Sequence, residues 1–172
     1  MEALLDNIYG SWFFPERTFR DLRENPPILQ AGLLTILLNA LDAGRQTGFN
    51  PFNLVWAAIY GLVGWVILAA LLRGLAYSFN LDPRLDTVLV LIAFGGLPWV
   101  FIAPAQALGG SLGALAGLAA LVWFVVWELR ATAIALDVPW QRLIWIVPLT
   151  FVGGFVALGW TSSTLSAIFS LG

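Results

Sequence analysis

Residues Phe14-Pro15-Glu16-Arg17-Thr18-Phe19-Arg20-Asp21-Leu22-Arg23-Glu24-Asn25-Pro26-Pro27 form the densest charged segment of an otherwise apolar chain. They stand directly before its first long hydrophobic run, so their reading decides whether that run crosses a membrane. Pro15 suits a first helical position, where its missing N–H has no intrahelical partner anyway. Glu16/Arg20, Arg17/Asp21 and Arg20/Glu24 are i,i+4 pairs of opposite sign, which support an exposed helix. Phe19 and Leu22 share one face, with Trp12, Phe13 and Phe14 just upstream. The pattern fits a short amphipathic helix in a membrane interface, rings toward lipid and guanidinium groups toward phosphate. An ordinary solvated helix fits it as well. Asn25 precedes a proline and is pushed out of the helical region, so the helix ends there. Pro26 and Pro27 open the next one.

Composition sets the class. Of 172 residues, 60% are hydrophobic and 10% charged, and the mean hydropathy is +0.87. Soluble domains carry about 25% charged residues, so the chain reads as an integral membrane protein. The net charge of -2 and the absence of a basic patch beyond the opening helix argue against a nucleic-acid partner. Every basic residue is arginine. There is no cysteine and no histidine. Disulfides, thiol catalysis, an imidazole base, and zinc or haem held by histidine are therefore excluded, and no cofactor is expected. The N-terminus lacks the basic region and cleavage site of a removable signal peptide.

A crossing helix needs about 20 mostly apolar residues, and five segments qualify. The first runs from about Pro27 to Gly44, interrupted by Asn39 and Asp42. The second spans about Phe52 to Tyr77. The third, about Asp86 to Leu108, is broken by Gly95-Gly96-Leu97-Pro98 and Pro104. The fourth covers about Leu112 to Leu136 and the fifth about Trp140 to Trp160. The expected architecture is an all-α integral membrane protein: a cytoplasmic segment 1–26 with an interfacial helix, a five-transmembrane-helix bundle over 27–160, and a short non-cytoplasmic tail, 161–172. Arginine placement supports the count. With five spans, Arg17, Arg20, Arg23, Arg73, Arg84, Arg130 and Arg142 share one side and Arg45 alone lies opposite, as the positive-inside rule requires. Were the first segment only to dip in, the arginines would divide four against four. The N-terminus is thus expected in the cytoplasm and the C-terminus outside.

Gly109, Gly113 and Gly117 recur every fourth residue, a spacing that lets helix backbones approach closely in lipid. Together with Gly95, Gly96 and Pro98 they are candidate helix-packing positions, inside the bundle or between two copies. Nine tryptophans fit interfacial aromatic belts. Arg73, Glu128 and Arg130 fall near the cytoplasmic boundary, where Glu128 could bridge to either arginine, each could snorkel alone, or the group could serve transport. Asn39 and Gln106 are the other polar groups at depth. No carboxylate or arginine accompanies them as a proton or ion relay would need, and no repeated halves are visible.

These residues carry a resemblance. Pro15-x-x-x-Phe19-x-x-Leu22 followed by Pro26-Pro27 resembles the start of the Yip membrane domain, the Ypt/Rab-GTPase-interacting protein family. The glycine-punctuated second span is similar, as are Gly95-Gly96-Leu97-Pro98 and a fourth span ending in Trp127-Glu128-Leu129-Arg130. Asp6-x-x-Tyr9-Gly10-x-Trp12 also resembles a short aromatic motif of eukaryotic members. The resemblance, covering about Ile8 to Trp160, implies five transmembrane helices and a cytoplasmic N-terminus. Eukaryotic members work in Golgi and ER trafficking with prenylated small GTPases, through a long cytosolic N-terminal region. The short region here argues against a GTPase partner and points to a prokaryotic-type member in the cell membrane.

The function expected is a non-enzymatic scaffold or accessory subunit that binds lipid bilayer and a membrane-protein partner, or itself. Glu16, Arg17, Phe19, Arg20, Arg23 and Glu24 are the candidate interaction residues. The rival expectation is a small transporter or channel along the broken third span. Intramembrane catalysis has little support, since no paired carboxylates lie at depth.

Overall fold

A computed structural model describes residues 2–139 together with Gln141, Leu143 and Val152. Among these the chain is helical: α1 (Glu2–Phe13), α2 (Pro15–Glu24), α3 (Ile28–Thr47), α4 (Pro51–Ser78), α5 (Leu85–Gly95), a 3₁₀ turn (Leu97–Phe101), α6 (Ile102–Ala107) and α7 (Gly110–Leu136). Local chemistry sets the boundaries. Pro15 and Pro51 occupy the first turns of α2 and α4, and the Asn50 side chain accepts the Phe52 N–H at 2.9 Å to cap α4. Asn80 and Asp137, both with positive φ, turn the chain after α4 and α7. Gly109 and Gly110, at φ +65° and +53°, make the tight reversal between α6 and α7.

Among the described residues, three helical stretches are long and apolar enough to cross a membrane: Pro51–Ser78, Leu85–Ala107 and Gly110–Leu136. They differ sharply in surroundings. The apolar window of Leu85–Ala107 is 56% buried in protein, against 6% for α4 and 17% for α7. The interrupted stretch is therefore the centre of the bundle, and its neighbours turn broad apolar faces outward. α5 packs against α2, α3, α4 and α7. Val88, Val90, Leu91 and Phe94 are fully buried along it. Leu97 and Pro98, in the 3₁₀ turn, continue that core.

α3 is 20 residues long, about 30 Å at 1.5 Å per residue, yet Gln30, Asn39, Asp42 and Arg45 leave it outside the strongly apolar set. Its polar groups at depth are satisfied along the helix itself. Thr35 Oγ1 donates to the Ala31 carbonyl and Asn39 Nδ2 to the Thr35 carbonyl, both at 2.9 Å. Gly61 of α4 faces Asn39 directly, which lets α3 and α4 pack closely. Of the fifth expected span, Trp140 to Trp160, only Gln141, Leu143 and Val152 are described, and the tail 161–172 lies outside the described residues.

α2 departs from the expectation in what its apolar face touches, which is protein and not lipid. Phe19 and Leu22 are 0% and 3% exposed and belong to the same core as α5 and α7. The correction has a simple cause: the bundle supplies an apolar surface that excludes water as well as lipid does, and α2 packs on it. The expected i,i+4 bridges of α2 are absent too, since none of Glu16, Arg17, Arg20, Asp21 or Glu24 forms an ion pair among the described residues.

Candidate functional site

The charged face of α2 overlooks a groove of about 1120 Å³. Arg20, Arg23 and Glu24 form one wall, and the α4–α5 loop, Asn80–Arg84, forms a second. The last turn of α7 and its exit, Ala133–Pro139, form the third. Each wall has a local reason to be there. The α2 face is polar because Phe19 and Leu22, on the other side, are buried. The loop leaves α4 through the left-handed Asn80, and Leu81 N–H bonds the Ala76 carbonyl at 3.0 Å. Asp137 ends α7 in the left-handed region, and Val138 N–H bonds the Ala133 carbonyl at 3.1 Å.

One ion pair links two of the walls, and others brace the α4–α5 loop. Arg23 reaches Asp137 at 3.1 Å. The guanidinium, by hydrogen bond and by charge, holds the Asp137 carboxyl below its ordinary value of 3.8. Arg73 donates to the Tyr77 hydroxyl at 2.6 Å, and that hydroxyl donates to Asp82 at 2.7 Å. Arg84 pairs with Asp86 at the start of α5. At the far end of α4 a smaller polar cluster joins Arg45 to Asp42 and Gln106.

The boundary bridge expected among Arg73, Glu128 and Arg130 is not formed. Arg73 turns to Tyr77 and Asp82, and Arg130 lies over the Trp127 ring, 5.7 Å from its centroid. Glu128 points the other way, into the bundle. It is 5% exposed and has no ion pair or hydrogen bond among the described residues. Its carboxylate lies against the break in the central helix. A Cβ on Gly95 would stand 3.2 Å from Oε2, and one on Gly96 would stand 3.5 Å from Oε1.

The glycines separate into different roles. A Cβ on Gly95 would also meet Ala131 at 2.9 Å, so α5 and α7 touch there. Gly113 lies 3.1 Å, in the same sense, from the Ala105 carbonyl of α6. Gly117 has nothing within 4 Å among the described residues, and Gly109 serves the turn. The four-residue stripe is thus one packing contact, one open position and one turn residue. Pro98 is buried within the 3₁₀ turn.

α1 was not legible as a helix docked on the bundle. Trp127 Nε1 donates to the Ser11 carbonyl at 2.8 Å, and Trp12 packs against Phe101 and Trp123. The signal in hand was the aromatic spacing Tyr9-Gly10-x-Trp12. Asp82 and Asp137 were also missed, as each reads in sequence as a turn residue.

A model of the Yip1 domain family matches residues 9–161. No curated protein and no solved structure matches the chain.

Proposed function

The chain belongs to the Yip1 domain family, and from that premise we propose that it is a non-enzymatic scaffold or accessory subunit of a membrane, working by binding. One observation carries this reading. α2 is anchored through Phe19 and Leu22, while Glu16, Arg17, Arg20 and Glu24 remain exposed and unpaired among the described residues. A helix fixed to a rigid core that keeps its charges free is suited to present them to a partner. In this reading five helices cross, α3 and the segment 140–160 completing the set, with the N-terminus in the cytoplasm. The arginines support it. Arg20, Arg23, Arg73 and Arg84 gather at the groove end, and Arg45 stands near the start of α4, a continuous helix of 28 residues and about 42 Å.

The test is crosslinking in native membranes followed by purification. A membrane protein recovered in fixed proportion with the wild-type chain and lost with Arg17→Gln/Arg20→Gln supports the reading; equal recovery with both sinks it. A second reading, a small transporter, is favoured by Glu128, a buried carboxyl set against a broken central helix, as at ion sites of secondary transporters. Solute flux into liposomes that stops with Glu128→Gln would replace the first reading with the second.

A further inference from the structure

The groove beneath α2 carries a charge pattern that packing does not require. Three arginines line it, Arg20, Arg23 and Arg84, and so do three carboxylates, Glu24, Asp82 and Asp137. Arg23 is engaged by Asp137, Arg84 by Asp86, and Asp82 by Tyr77 and Arg73. Arg20 and Glu24 form no ion pair among the described residues, and both are exposed. They sit one turn apart on α2, about 5–6 Å between Cβ atoms. Close to this free cation and free anion the groove is apolar, through Leu81, Ile134, Leu136 and Val138. Its position is where α4 ends, α5 begins and α7 ends, so it opens at the boundary between hydrocarbon and headgroups.

We propose that this groove binds the headgroup of a zwitterionic phospholipid that carries a primary ammonium, with phosphate on Arg20 and ammonium on Glu24. The guanidinium fork matches phosphate oxygens bidentately. A primary ammonium offers three N–H donors to a carboxylate, whereas a choline group offers none. The equal number of arginines and carboxylates gives an anionic lipid no surplus charge to bind, but it complements a zwitterion at both ends. The volume, about 1120 Å³, is slightly above the range of about 300–1,000 Å³ common for small-molecule sites. It leaves room for the glycerol and the first acyl carbons along the apolar residues. The proposal rests on the membrane placement of the chain and not on the scaffold reading.

The test uses the full chain, delipidated in detergent and titrated with short-chain phosphatidylethanolamine, phosphatidylcholine, phosphatidylglycerol and inorganic phosphate, with binding read by native mass spectrometry. The ethanolamine lipid should bind most tightly. Arg20→Gln should weaken every phospholipid, and Glu24→Gln should weaken only the ethanolamine lipid, to the level of choline. Each loss should be about tenfold, the order of one charge-assisted hydrogen bond. Both side chains are exposed, and the melting temperature checks that each variant is folded. Should Glu24→Gln lower it, Glu24→Asp keeps the charge and should retain the ethanolamine preference. Phosphatidylglycerol or phosphatidylcholine binding as tightly as the ethanolamine lipid overturns the proposal. So does inorganic phosphate competing at equal concentration, which would make the groove a site for free phosphate. Partner recovery unchanged while lipid ordering fails would remove this inference and leave the scaffold reading intact.

Discussion

The indole N–H of Trp127 donates to the backbone carbonyl of Ser11 across 2.8 Å, tying α7 to a helix 116 residues earlier in the chain. The bond holds α1 against the bundle, with Trp12 packed on Trp123 and Phe101 beside it. Trp127→Phe keeps a ring and removes the donor. It should cost about 1 kcal/mol, the typical net value of one hydrogen bond. Loss of α1 docking should show as faster proteolysis within residues 2–13. Unchanged cleavage would mean that the ring packing alone holds α1.

Gly95 and Gly117 should respond in opposite ways. A methyl on Gly95 would meet Ala131 and the Glu128 carboxylate within 3.2 Å, so Gly95→Ala forces α5 and α7 apart. A cost of about 1–3 kcal/mol is expected. Gly117 meets no neighbour among the described residues, and Gly117→Ala should leave the detergent melting temperature level or raise it, since alanine favours helix by about 1 kcal/mol. A fall with Gly117→Ala would show that position to be an interface between copies.

Glu128 is a buried carboxyl without an ion pair or hydrogen bond among the described residues. A buried carboxyl without a partner must either hold a proton or carry an uncompensated charge, and a neutral amide of the same shape does neither. Glu128→Gln should therefore hold or raise the melting temperature at neutral pH. A drop of several degrees would mean that the carboxylate is satisfied by a group or ion bound at the helix break.

Asp137, at the end of α7, gives a pH signature. Arg23 holds its carboxyl below the ordinary 3.8, so the folded state favours the ionised form. The stabilisation is complete above the unfolded value and is lost as pH falls through the lower, folded one. The wild-type chain and Asp137→Asn should differ by a constant amount above the unfolded value and converge as pH falls through the lower, folded one. A difference that grows on acidification would break the linkage.

The chain lacks cysteine, so single cysteines report its topology. Arg17→Cys and Arg84→Cys, both at exposed positions, should be protected from an impermeant thiol reagent in intact cells, and Arg45→Cys should react. Labelling at Arg17 from outside would reverse the proposed orientation.

Much of the local structure was legible because its causes are local. Pro15 starts α2 and Asn25 caps its end because proline restricts the backbone on both sides of itself. Gly95-Gly96-Leu97-Pro98 interrupts the third apolar run because Pro98 cannot donate to an α-helical ladder. The membrane class followed from a composition too apolar for a water-soluble domain. The partners of the charges were not legible. Arg73 pairs with Asp82 across a turn and Arg23 with Asp137 across the fold, and neither spacing has a sequence signature.

Hydropathy also left open what each apolar face touches. Phe19 and Leu22 read as lipid-facing and are buried in protein; Gly117 read as packed and is open. Lipid tails and a packed core are equally apolar, so burial in either leaves the same pattern in a sequence. What the sequence by itself determined is which segments avoid water and where they break. The tertiary structure alone decided that the broken helix is central, that α2 packs on it, and that Glu128 points inward, because those outcomes depend on shape complementarity between segments far apart in the chain.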